Sequence, residues 1–194
     1  ALGRSAHQEA ARYFDQALSA LTHLPETPET LAQSVDFRLG LRNALFPLGE
    51  VETGLGHLRD AESVALGLDD KRRLAIISAY MSEHSRLTGY SADAVSSAKK
   101  VEQMAEELDD LTLKVVANYY LGTAYFTAGD YKRAGDSLKG TIQLLAGDLG
   151  RDDCHVMPFA IGREGEVFLL VALAGRVDQA EPIGFDGAGS PLEV

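Results

Sequence analysis

Asp152, Asp153, Cys154 and His155 stand side by side and unite carboxylate, thiolate and imidazole, three ligand types that zinc and related ions accept. Neighbours on one loop do not converge well on one ion, and no second His or Cys lies at ligand spacing, so the expectation is a solvated insertion loop with Cys154 as a modifiable thiol where exposed. His7, His23, His57 and His84 are scattered one to a helix or turn, with no serine or cysteine that sequence places beside them. No nucleophilic triad is indicated. The phosphate-cradling pattern GxxxxGK[ST] is missing, and no strand-rich segment offers paired metal-binding aspartates. No catalytic residue, metal or cofactor is therefore expected.

Charge narrows the partners. Eighteen basic against twenty-nine acidic side chains give a formal charge of -11 over 194 residues, the wrong sign for gripping phosphate backbones. The Lys71-Arg72-Arg73 run and the Lys99-Lys100 pair are too short to reverse that, so nucleic acid is not expected as a partner. Glu102, Glu106, Glu107, Asp109 and Asp110 read as a solvated helix end. The longest apolar run, Val167 to Ala174, is well short of the roughly 18 residues of a membrane helix. ALGRSAHQEAAR has no apolar signal-peptide core, and a cytoplasmic location is the expectation. One cysteine excludes an intrachain disulfide framework, so packing alone must hold the fold.

The elements that position any site come from a repeat. Gly49, Gly89 and Gly129 are spaced 40 residues apart, each between two helical runs: LRNALFPLGEVETGLGHL, AYMSEHSRLTGYSADAVSSA and LGTAYFTAGDYKRAGDSL. Gly54, Ala94 and Ala134 hold a small-residue position at the same spacing, followed by Leu58, Ala98 and Leu138, then Ala61, Val101 and Thr141. A small side chain early in the second helix lets two backbones approach, and glycine permits the left-handed turn between them. The spacing predicts first helices at 31–46, 72–87 and 111–127 and second helices at 50–65, 92–107 and 131–145, within repeats at about 31–66, 71–107 and 111–147. Ala10, Phe14 and Ala17 give a half repeat at 5–24, after which Pro25 and Pro28 interrupt the helix. A partial repeat at 158–181, with Gly175 at its turn and Ala180 at its small contact, follows the insertion GDLGRDDCHVMP. Residues 182–194 read as a flexible tail or, at Leu192-Glu193, a cloning remnant, and the chain as a piece of a longer protein.

Asn118 to Ala134, NYYLGTAYFTAGDYKRA, resembles a tetratricopeptide-type repeat: Leu121 and Gly122 stand where that family places its Leu-Gly pair, Tyr125 follows, Gly129 is in the turn, and Tyr131 and Ala134 open the second helix. The resemblance implies an all-α fold, a right-handed superhelix of stacked antiparallel hairpins. From about Ala6 to Leu149 the chain is also similar to the C-terminal repeat region of bacterial proteins that join a class III adenylate or guanylate cyclase domain to an AAA-type signal-transduction ATPase. RYFDQALSALTHLPET, DFRLGLRNALFPLGE, HLRDAESVALGLDDKRRLA and KVVANYYLGTAYFTAGDYKRA carry that likeness. Related regions follow ATPase modules in maltose-regulator-type activators. The implied role is regulatory, with the chemistry in domains upstream.

By the same analogy first helices line a concave groove, with Asn43, Phe46, Glu83, Arg86, Tyr119, Thr123 and Phe126 facing it. Polar groups among aromatics suit a protein or peptide, including domains of the same parent chain, or a small molecule. The alternative is that Phe46 and Phe126 pack between repeats while Glu83 and Arg86 pair with each other. Leu39, Ala79 and Tyr119 occupy the places of the lysines that clamp carboxylate tails in chaperone-binding relatives, so that mode is not expected. The expected function is a non-catalytic protein-binding module regulating signalling domains; the alternatives are a small-molecule sensor and a homo-oligomerising scaffold.

Overall fold

A computed structural model of the chain describes residues 2–146. The described part is all helical: α1 Leu2–Leu21, α2 Pro28–Leu45, α3 Val51–Gly67, α4 Lys71–Leu87, α5 Ser91–Glu107, α6 Leu111–Thr127 and α7 Tyr131–Ala146, with a 3-10 turn Phe46–Leu48 after α2. Each helix packs on the next, and α4 also touches α6, so first helices of neighbouring hairpins share a layer. The expected partial repeat, the tail and the Asp152–His155 cluster, with Gly175 and Ala180, lie outside the described residues.

Two turn chemistries punctuate the chain. Within hairpins, Gly49, Gly89 and Gly129 take left-handed conformations, with φ of 83°, 87° and 80°. The next residue then donates back to a carbonyl five residues earlier: Tyr90 N to Ser85 O at 2.8 Å, Asp130 N to Tyr125 O at 2.9 Å. That is the bond that satisfies a helix's last carbonyls. Between hairpins aspartate does the same work. Asp69 and Asp109 have φ of 51° and 47°, and Asp70 N and Asp110 N reach Ala65 O and Ala105 O. Asp109 and Asp110 are thus turn and cap residues, with more specific work than the solvated helix end expected of them.

Four of the helix starts carry a side-chain cap, whereas those of α3 and α5 do not. Asp70, Asp110 and Asp130 accept from the backbone N–H of Arg73, Leu113 and Arg133 at 3.0, 3.1 and 3.0 Å, satisfying donors that have no partner inside a helix. Thr27 and Thr30 close a reciprocal capping box ahead of α2. This cap, with Pro28 tolerated in the first turn, starts α2 three residues before the expected Leu31. Pro47 follows its end at Leu45.

The small-residue register is where the helices meet. Ala94, Ala98 and Val101 in α5 and Ala134, Leu138 and Thr141 in α7 are buried, as are Gly54, Leu58 and Ala61 in α3. The position facing them on the first helix changes from hairpin to hairpin. Gly122 lets α6 approach the carbonyl of Ala134, Ser82 donates its hydroxyl to Ala94 O at 2.8 Å, and Arg42 lies over Gly54. At the start of the chain Phe14 of α1 rests on Gly40 of α2, beside Ala11, Leu41, Ala44 and Leu45.

Charges tie α4 to its neighbours: Arg73 bonds Asp36 of α2 through Nε at 2.8 Å and Nη2 at 2.7 Å, and Lys71 reaches Glu107 of α5 at 2.9 Å. Such exposed pairs contribute about 0–1 kcal/mol each. They reinforce a packing that the apolar faces have already determined.

Candidate functional site

The polar centre of the first-helix layer is Arg42, which the sequence reading passed over. It is 8% exposed. Its guanidinium carbon lies 4.6 Å from the centre of the Phe46 ring and 4.3 Å from that of Tyr80, within cation–π range. Nη1 donates to Asn43 Oδ1 at 3.1 Å, and Asn43 Nδ2 donates in turn to Tyr80 Oη at 3.2 Å. One amide thereby clips an arginine of α2 to a tyrosine of α4.

Burial pushes the Tyr80 hydroxyl above its ordinary value, and the Asn43 bond and Arg42 charge oppose this without reversing it. Tyr80 therefore stays protonated at neutral pH. Tyr120, on α6, is also held well above its ordinary value, first by burial and then by the charge of Glu83.

The expected groove residues divide. Asn43 and Phe46 join Arg42, although the Asn43 amide is spent on fixing its neighbours. Glu83 and Arg86 are half-buried and pair with each other at 3.1 Å, which satisfies both and leaves neither a bare charge. Thr123 donates to Tyr120 O at 3.1 Å within its own helix. Tyr119 is half-buried, edge-on to Tyr120 with ring centres 5.1 Å apart, and packed against Leu138. Phe126 is 42% exposed and meets Tyr131 edge-on at 5.5 Å. Leu39 and Ala79, at the clamp-lysine positions, are buried in the core.

Two recesses frame the layer. Behind Arg42, between Phe46, Glu50, Gly54 and His84, a cleft has room for about one water molecule. A broader recess of about 170 Å³ opens between α5, α6 and α7, bordered by Glu102, Glu106, Lys114, Asn118 and Leu144. None of the expected groove residues borders it.

A signal for Arg42 was present in the sequence. In the 40-residue register it stands where Ser82 and Gly122 stand, an arginine in a small-residue position, and the residue opposite is Gly54 where the other hairpins carry alanine. The enlarged side chain is matched by a smaller one.

Among the described residues no group of three or more His, Cys, Asp or Glu is placed to hold a metal ion, and no helix is long and apolar enough to cross a membrane. Over the described residues, fold and site thus define an all-α arrangement of successive helical hairpins with a buried cationic cluster around Arg42. No protein-family model matches the chain, and neither the curated proteins nor the solved structures yield a match.

Proposed function

We propose that this chain is a non-catalytic helical-repeat module, a right-handed superhelix of tetratricopeptide type, that takes a protein or peptide segment along its first-helix layer and so regulates signalling domains of a cytoplasmic cyclase–ATPase parent. The observation that carries the reading is the Arg42–Asn43–Tyr80 clip. Polar groups are held rigidly across two helices, where ordering them for packing alone would be costly, and they lie on the layer that also presents Phe46 and Phe126. Rigid aromatic and arginine groups are the kind on which binding energy concentrates.

The test is selection of peptides from a random display library on the immobilised chain, followed by titration of the enriched sequences. Binding that weakens at least tenfold on Asn43→Ala, with the helical content kept, supports the reading. A library that yields no saturable binder, or binders indifferent to every substitution on α2, α4 and α6, overturns it.

A further inference from the structure

We propose that the recess between α5, α6 and α7 is a binding site for a primary ammonium group on a short alkyl stem, with Glu102 and Glu106 as its counter-charges. The site lies apart from the Arg42 cluster and does not rest on the groove reading.

The repeat shows how the recess is carved. Forty residues earlier, the positions of Glu106, Lys114, Ala117 and Asn118 carry Leu66, Leu74, Ile77 and Ser78. There Ile77 is fully buried, and Leu74 packs against the same core. Ala117 keeps the buried place with a much shorter side chain, and a space of about 170 Å³ opens beside it. The surrounding positions turn polar in the same step. That volume far exceeds the roughly 10–15 Å³ that one water needs and falls short of the roughly 300 Å³ at which drug-sized sites begin. It seats a group of a few heavy atoms.

The walls select the charge of that group. Glu102 and Glu106 stand one turn apart on α5, where like charges repel, and neither has a cationic partner among the described residues. Lys114, the cation of the facing helix, gives its ammonium to Asp109, the residue of the left-handed turn before α6. The recess therefore has a negative wall whose own nearby cation is committed elsewhere, in a chain of formal charge -11. Such a field attracts cations and repels anions.

The walls also select an ammonium over a metal ion. Among the described residues no group of three or more His, Cys, Asp or Glu is placed to hold a metal, and Ala105, Ala117 and Leu144 offer it no ligand. Those apolar side chains suit methylene groups, whose burial is favourable. Asn118 supplies a polar group without a charge: its amide borders the recess and has no hydrogen-bond partner among the described residues. Gly140 of α7 makes room for it, since a Cβ there would lie 2.8 Å from Asn118 Nδ2. An ammonium has three N–H donors, and two carboxylates and one amide oxygen are acceptors for all of them. The group can come from a free alkylamine or from the side chain of a lysine.

The experiment follows the Asn118 side-chain amide resonances of the labelled chain while n-butylammonium, which reproduces the end of a lysine, is added at constant ionic strength. Tetramethylammonium, a cation without N–H donors, and n-butanol, a stem without charge, serve as controls. Saturable shifts confined to the recess are expected with n-butylammonium, and at least tenfold weaker binding with either control. Glu102→Gln combined with Glu106→Gln, both exposed, should keep the helical content and lose the response. Ala117→Ile, which restores the residue found at Ile77, should fill the seat and lose it with both carboxylates in place; if that variant does not fold, the glutamine pair still decides. Short alanine peptides with a central lysine or acetyl-lysine identify the source: a lysine peptide that binds more tightly than n-butylammonium points to a partner's side chain, and a weaker one to a free amine. If tetramethylammonium binds as well as n-butylammonium, the attraction is that of the net charge and the site is disproved. It is equally disproved if the glutamine pair leaves the response intact or if no saturable shift appears at Asn118. None of these outcomes touches the groove reading, because none of the expected groove residues borders the recess.

Discussion

Gly122 of α6 faces Leu138 of α7 so closely that a Cβ at Gly122 would lie 2.6 Å from the leucine Cγ. The contact sets the distance between the two helices of the third hairpin, and both residues are buried in it. Gly122→Leu should therefore overpack the hairpin and destabilise the chain by about 1–3 kcal/mol, read as a lower urea midpoint. Adding Leu138→Ala frees the space that the new side chain needs. The double variant should lose less than the sum of the two single losses, a coupling that a double-mutant cycle measures.

Asp69 and Asp109 hold left-handed backbones where the hairpins join. Aspartate and asparagine tolerate this region, whereas a β-branched residue does not. Asp69→Asn should be close to neutral, and Asp69→Val should cost about 1–2 kcal/mol in the same urea titration. Equal melting of the two variants would show that this turn carries no backbone strain.

Much of this fold was legible because its signals are local. The 40-residue spacing of Gly49, Gly89 and Gly129 located three left-handed turns, and α6 runs from Leu111 to Thr127 as the spacing predicted. The site was less legible, for a physical reason. Whether Glu83 faces a ligand or Arg86, and whether the Asn43 amide is available or committed to Tyr80, depends on distances across helices that periodicity does not encode. Arg42 was hidden because its position belongs to small residues, and only its pairing with Gly54 shows that a large side chain fits there. Asp69 was missed, and Asp109 read as part of a solvated helix end, because glycine is the usual marker of the turn they make.

Asp70 caps α4 and also bonds the Arg73 guanidinium. Burial alone would raise its carboxyl, but the Arg73 backbone N–H and side chain outweigh that and hold it below its ordinary 3.8. A lowered folded value means the contribution is fully present above the unfolded value and fades as the pH falls through the folded one. Asp70→Asn keeps a capping oxygen and discards the charge, so it should destabilise by about 1 kcal/mol at pH 7. Urea titrations at a series of pH values should show that gap narrowing once the pH drops below about 4, and a gap that is constant to pH 2 would remove the charge from the account.

The same substitution should have opposite signs at two helical glycines. Gly56 is exposed in the middle of α3 with nothing within 4 Å of an added Cβ, so Gly56→Ala gains helix propensity with no steric cost and should stabilise by about 0.5–1 kcal/mol. Gly40 lies inside α2, where the propensity gain is similar, but there the Cβ would meet the ring of Phe14 from α1. The ring is held near Phe37 and beside Leu41 and Leu45, so it has little freedom to withdraw. Gly40→Ala should therefore destabilise the chain despite the better helix former, and amide exchange should show α1 opening first. Adding Phe14→Leu, which shortens the intruding side chain, should recover part of that loss. If Gly40→Ala instead stabilised as Gly56→Ala does, α1 would not be seated on α2 through Phe14, and the first contact of the array would have to be redrawn.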